Sequence, residues 1–266
     1  MPTIKVNNIN LFYKEYGQGE PIIFVSGFAA DNTIWGNIVN QFAKFYRVIV
    51  FDNRGVGLSD HPNYPYTVDM MTDDVVDLCH NLNINSAHFI GNSMGGCIVQ
   101  NLAYKFPQLT KTAVIGNSFS KVNSRLKLWV ESRALLFKSN IPEEALFKDI
   151  LPQVYSNEFL ARHGMVENLI QLMKLAPPPV TEASFYCQMH ALLNFDSSAW
   201  LKDITRPCLI ISADDDLLAD VAHARKLSEL IPKAQYYCFK NVGHLPHIEQ
   251  SDIYNKLVLD FLAQFK

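Results

Sequence analysis

The chain has no run of the roughly 18 uninterrupted apolar residues that a membrane-spanning helix needs, and Met1-Pro2-Thr3-Ile4-Lys5-Val6 lacks the apolar stretch of a signal peptide. A soluble, cytoplasmic protein with no membrane partner is expected. Charge of one sign is scarce as well: 23 Lys plus Arg stand against 26 Asp plus Glu, a net charge of −3 without a long block of either sign. That leaves no electrostatic footprint for a nucleic acid, and the expected partner is a small molecule. The five cysteines, Cys79, Cys97, Cys187, Cys208 and Cys238, are far apart and form no C-x-x-C pair, which argues against a disulfide or zinc framework. Reduced core thiols and no bound metal are expected. Repeats, low-complexity tracts and polar linkers are missing too, while 266 residues at 48% hydrophobic exclude disorder and suit one larger α/β domain.

Strand-like runs alternate with amphipathic stretches of helix length over the first 118 residues, the order of a mostly parallel sheet covered by helices. The pattern predicts strands near 3–6, 9–15, 21–25, 47–51, 87–91 and 112–117, with helices near 33–44, 67–83 and 94–105. The runs Ile22-Ile23-Phe24-Val25 and Val48-Ile49-Val50-Phe51 are continuously apolar, as strands buried on both faces must be. From 119 to 199 four helix-like pieces, near 123–139, 142–155, 157–176 and 180–194, follow one another without a strand, the last two separated by Pro177-Pro178-Pro179. Strands return at 207–212 and 234–240, with helices at 220–231 and 250–265. The reading is an α/β core formed by 1–118 and 200–266, with 119–199 inserted as a helical lid.

The strongest local signal is Gly91-Asn92-Ser93-Met94-Gly95-Gly96, a G-x-S-x-G match placed directly after the strand Ala87-His88-Phe89-Ile90 and before the helical run Cys97-Ile98-Val99-Gln100-Asn101-Leu102. So sharp a turn from strand to helix strains the serine backbone and lifts its hydroxyl off the sheet, and it needs glycines where a Cβ would collide. Neither G-x-G-x-x-G nor G-x-x-x-x-G-K-[ST] is present, which sets aside a phosphate-binding turn.

A serine hydroxyl needs a base, and the base needs a carboxylate to hold its tautomer. His244, in Val242-Gly243-His244-Leu245-Pro246-His247, falls in the loop after the last strand, at the same sheet edge as Ser93. His247, three residues on, reads as a packing or capping residue, and His61, His80, His88, His163, His190 and His223 as surface or satisfied core histidines. The strand ending at Ile115-Gly116 runs into Asn117-Ser118-Phe119-Ser120, without an acid. The strand ending at Ser212 runs into a loop with four carboxylates, Asp214, Asp215, Asp216 and Asp220, among which spacing alone does not choose.

Ser26-Gly27-Phe28, the segment Phe51-Asp52-Asn53-Arg54-Gly55-Val56-Gly57-Leu58-Ser59-Asp60, the turn around Ser93, the Asp214–Asp220 loop and Gly243-His244 followed by Pro246-His247-Ile248-Glu249 together resemble the α/β-hydrolase fold superfamily, above all its small cofactor-free esterases and lactonases grouped around 3-oxoadipate enol-lactonase. The resemblance spans almost the whole chain. It implies an α/β-hydrolase fold with helices on both faces of the sheet and no cofactor, Asp216 as the acid with Asp215 as its neighbouring alternative, and the 52–60 segment as a structural turn. Ser26 departs from the histidine common before this glycine, Ala213 from a glycine and Asp220 from a frequent proline.

By the same resemblance, Ser93 attacks a carboxylic ester or lactone, His244 moves the proton, Asp216 orients His244, and the backbone N–H groups of Phe28 and Met94 receive the oxyanion. Trp129, Phe119, Leu218 and Leu245 are candidate walls of an apolar acyl pocket. A C–C bond hydrolase or a cofactor-free perhydrolase would use the same triad, though the former commonly carries Trp after the histidine, where Leu245 stands. A small-ligand receptor or signalling partner of the same fold is the reading from another class.

Overall fold

The apolar runs at 22–25 and 48–51 lie side by side at the centre of one eight-stranded sheet. The computed structural model describes residues 2–139, 141–175 and 179–265. Its strands are β1 (Thr3–Val6), β2 (Ile9–Tyr16), β3 (Pro21–Val25), β4 (Arg47–Phe51), β5 (Ala87–Asn92), β6 (Thr110–Gly116), β7 (Cys208–Ala213) and β8 (Gln235–Phe239), in the spatial order β1-β2-β4-β3-β5-β6-β7-β8. The two β2 pairings are antiparallel and all others parallel. Every residue of β5 and β7 is buried, the condition of parallel strands covered on both faces.

The first part of the chain adds α1 (Ile38–Phe42), α2 (Val68–Asn81) and α3 (Met94–Lys105). Thr67 caps α2 through its side chain, which accepts from Met70 N–H, and Asp69 sits in the first turn where the helix dipole favours a carboxylate. Between β6 and β7 come α4 (Ser124–Lys138), α5 (Glu143–Val154), α6 (Asn157–Leu160), α7 (Met165–Leu175) and α8 (Glu182–Asn194), with no sheet strand among the described residues there. The two ends of this segment meet: Lys121 and Asp196 form an isolated bridge and a 2.9 Å ion pair, and Ser197 N–H donates to Ser120 O. The chain finishes with α9 (Val221–Leu230), α10 (Pro246–Glu249) and α11 (Ser251–Ala263). None of these helices is long and apolar enough to cross a membrane, and the cysteines are free thiols, four buried and Cys238 half-buried.

Two helices expected from the pattern are each split by a glycine with positive φ. The stretch 33–44 is a 3-10 turn at Asn32–Trp35 followed by α1, broken at Gly36 (φ 46°), and 157–176 becomes α6 and α7 with Gly164 (φ 72°) between them. The closing helix, expected over 250–265, is α11 at Ser251–Ala263 with Gln250 at its N-cap, and the short α10 precedes it. Of the proline triplet, Pro177 and Pro178 lie outside the described residues, while Pro179 O accepts from Gly57 N–H at 2.6 Å.

The 52–60 turn after β4 is built on buried polar contacts. Asp52 accepts from Asn32 N–H (2.8 Å) and Leu58 N–H (2.9 Å), and a Cβ on Gly57 would strike its carboxylate. Arg54 lies flat against Asp74 of α2 with two 2.6 Å bonds and also donates to Tyr64 Oη, so its role is structural. Both side chains of the pair are at most 3% exposed. Removing one partner strands a buried charge and is expected to cost about 3–5 kcal/mol, whereas replacing both by apolar residues of similar size costs much less. Urea unfolding of Asp74→Ala against Arg54→Met/Asp74→Leu is the measurement; equal losses in the two would contradict it.

Candidate active site

Ser93 stands between β5 and α3 with φ 58° and ψ −123°, a conformation that side chains rarely adopt. Close packing imposes it. A Cβ on Gly91 would strike Gly95 O, one on Gly95 would strike Val25 O, and one on Gly96 would come within 2.6 Å of Ser118. The helix therefore starts directly against β3 and β5, with the Ser93 side chain half-buried at the turn. Ser118 Oγ donates to Ser93 O at 2.8 Å and Ser93 N–H donates to Gly116 O, so the loop after β6 braces this turn. Cys97, one helical turn on, also borders Ser93 O, but burial pushes its thiol up to about 12 and keeps it neutral.

The four aspartates after β7 separate by what they bind. Asp214 accepts from Asn241 N–H, Asp215 from Asn157 N–H at the start of α6, and Asp220 caps α9 through Ala222 and His223 N–H. Asp216 is 3% exposed and takes four donors: Leu218 N–H (2.8 Å) and Ala219 N–H (2.9 Å) on Oδ1, and Asn117 Nδ2 (2.8 Å) and His244 Nδ1 (2.8 Å) on Oδ2. Its bond to the imidazole fixes the tautomer, leaving Nε2 of His244 as the free basic nitrogen. Asn92, the residue before Ser93, donates to His244 O at 3.3 Å and brings the histidine loop beside the serine turn. Among the described residues, Ser93 Oγ has no hydrogen bond of its own; such bonds in unliganded sites commonly tighten only when substrate binds.

The Gly27–Phe28 segment lies against the same serine: a Cβ on Gly27 would sit 3.1 Å from Ser93 Cβ and 3.7 Å from Oγ. The loop is held without the imidazole usual at position 26. Ser26 Oγ donates to Asp31 O and accepts from Trp35 Nε1, while Asn53 Nδ2 donates to Ser26 O. On the other side Gln188 of α8 accepts from Ala29 N–H at 2.9 Å and donates to Arg54 O, and the Phe28 ring meets Phe185 edge-on at 4.7 Å. Half-buried Trp129, with the Arg133 guanidinium 6.0 Å from its ring centre, packs on the apolar cluster that contains Met94, Phe119 and Leu218. Leu245 is buried between His244 and α10. Among the described residues no group of His, Cys, Asp and Glu could hold a metal ion.

Three contributors carry no sequence motif of their own. Asn117 and Asn92 act on side-chain and backbone atoms that only the folded sheet edge brings together. Glu249, buried in α10, accepts from Gly243 N–H and from Ser156 N–H and Oγ, and so ties the histidine loop to the segment between α5 and α6; burial raises its pKa against those hydrogen bonds. Its place two residues after Pro246-His247 is visible in the sequence, but its partner at position 156 is not.

His247 is a packing residue. Its Nε2 donates to Ile34 O, its ring lies 4.8 Å from Trp35 and 5.8 Å from Tyr254, and burial pushes its pKa down to about 3. Because the unfolded chain binds a proton there below about 6.5 while the folded one does not, this group's contribution is complete above that pH and is lost as pH falls from about 6.5 towards 3. His247→Phe is expected to flatten the acid limb of stability in that window, as read from urea midpoints at pH 7 and pH 5; an unchanged slope would contradict it.

The α/β hydrolase fold family model matches residues 20–251. An enol-lactonase from Burkholderia xenovorans LB400 superimposes with a TM-score of 0.90 at 27% identity, over 98% of this chain and 100% of that one. In sequence the chain is similar to a protein named non-heme bromoperoxidase BpoC of Mycobacterium tuberculosis, 26% identical over 97% of this chain and 99% of the relative. It is likewise 26% identical to a protein named carbamate hydrolase RutD of Pantoea ananatis, over 96% and 94% of the two chains. With the eight-stranded sheet and the strained serine turn between β5 and α3, these matches place the chain in the α/β hydrolase fold family.

Proposed function

We propose that the protein is a serine hydrolase that cleaves a carboxylic ester or lactone of a small apolar substrate through an acyl-serine intermediate. The observation that carries this reading is Ser93, held at φ 58°, together with the buried His244–Asp216 hydrogen bond, the loop of His244 being tethered through its backbone O by Asn92, the residue before Ser93. Ser93 Oγ attacks the carbonyl carbon as its proton passes to His244 Nε2, and Asp216 stabilises the imidazolium across the 2.8 Å bond to Nδ1. The carbonyl oxygen, now an anion, is received by the N–H groups of Phe28 and Met94. Collapse expels the alcohol oxygen, which takes the proton from His244; water then repeats the sequence on the acyl-serine and frees the acid. No step requires a cofactor.

The apolar surroundings of Met94, with Trp129, Phe119 and Leu218 in one cluster, support small apolar acyl groups, and in this reading the helices of 119–199 form the lid over them. The similarity to an enol-lactonase supports a lactone or ester over the other carbonyl substrates of the fold.

Turnover of p-nitrophenyl butyrate tests the assignment. Ser93→Ala is expected to lose on the order of a million-fold in kcat and to escape labelling by an organophosphonate. Asp216→Asn should lose about ten-thousand-fold, while Asp214→Asn and Asp220→Asn, whose carboxylates face a turn and a helix start, remain near wild type. A Ser93→Ala enzyme with a tenth of the parent rate sinks the nucleophile; a larger loss at Asp215 than at Asp216 moves the acid by one residue. Parallel rates on aryl esters, short alkyl esters and lactones identify the substrate class.

A further inference from the structure

Asn117 occupies the first position after β6, is fully buried, and has φ 45°, in the left-handed region. Its backbone N–H continues the sheet by donating to Ile211 O at 2.8 Å. Its Nδ2 donates at 2.8 Å to Oδ2 of Asp216, the same oxygen that accepts from His244 Nδ1, while its Oδ1 is buried without a hydrogen-bond partner among the described residues. Asparagine tolerates a left-handed backbone better than most side chains, but an unpaired buried carbonyl costs stability, so the backbone accounts for an asparagine here and not for the aim of its amide at Asp216. The next residue, Ser118, donates to Ser93 O, so adjacent residues of one loop hold the acid and the nucleophile.

We infer that Asn117 is a positioning residue for the reaction: its amide holds the Asp216 carboxylate in the rotamer that fixes His244. This rests on the serine-hydrolase reading. With the Nδ2 bond in place, Oδ2 is pinned from the β6 side and can meet His244 Nδ1 from only one direction. Without it, Oδ2 keeps one donor, and the carboxylate can turn about its Cβ–Cγ bond as far as the two N–H groups on Oδ1 permit.

Two variants with p-nitrophenyl butyrate separate this role from a structural one. Asn117→Gly adopts the positive φ without strain and removes the unpaired carbonyl, but it also takes one of the four donors from the buried Asp216, so its thermal midpoint should fall and kcat is read well below that midpoint. Its kcat should drop about 10- to 100-fold, the worth of one hydrogen bond to a charged group, with KM unchanged within twofold because Asn117 does not touch substrate. The downfield proton resonance of His244 Nδ1–H should shift. Asn117→Asp keeps the shape and excludes water from the gap but supplies a second carboxylate in place of the donor, and should lose at least as much in kcat. A kcat within twofold of the parent in either variant, or a loss in Asn117→Gly that only tracks a lower thermal midpoint, overturns the assignment. Ser93→Ala and Asp216→Asn run alongside: if both are inactive while Asn117→Gly is fully active, only the role of Asn117 falls, whereas an active Ser93→Ala removes the serine reading itself.

Discussion

A carboxylate as enclosed as Asp216 is tolerated only where donors replace its lost water, and here four of them do so from three parts of the chain. Two are the N–H groups of its own loop, one comes from the end of β6 and one from the loop after β8. They converge only if β6, β7 and β8 lie parallel, in register and ending at one level, which the pairings of Gly116 with Ile211 and of Ala213 with Phe239 secure. The order of strands in the sheet is thus a requirement of this one charged group.

The serine turn imposes a second, steric requirement on the opposite side. Gly95 approaches Val25 O so closely that any side chain would part α3 from β3, and Gly27 approaches Ser93 almost as closely. Ser93, the Gly27–Phe28 loop after β3 and the start of α3 are therefore fixed by contact distances at backbone level, while Asp216 and His244 are fixed by hydrogen bonds. The two sets are joined by Asn92, which donates to His244 O, and by the adjacent Asn117 and Ser118, which hold Asp216 and Ser93.

The sheet was legible because its strands are continuous apolar runs bounded by glycine, asparagine and aspartate, and because the serine motif fell between a strand and a helix. Helices were harder wherever a single glycine broke an otherwise unbroken amphipathic pattern, as at Gly36 and Gly164, since periodicity is blind to one positive φ. Among the aspartates after β7, the sequence offered four equivalent carboxyls; choosing Asp216 took a resemblance to a family, and the geometry separates them by donors that come from positions 117, 157, 241 and 244. Asn117, Gln188 and Glu249 stayed silent for the same reason: each acts on an atom far away in sequence, and no local pattern records the far partner.

His244 N–H donates to Val154 O at 2.9 Å, and a Cβ on the preceding Gly243 would come within 2.7 Å of Tyr155 and Ser156. The end of α5 is thus welded to the loop that carries His244, whereas α4 and α8 touch the site through apolar rings and one glutamine. For anyone recombining caps among relatives of this fold, the crossover points are unequal. A donor segment grafted between β6 and β7 must reproduce the backbone of 154–156 to keep the histidine in place, and is free to vary on the outer faces of α4 and α7, where large apolar side chains such as Leu128 and Leu172 already face solvent.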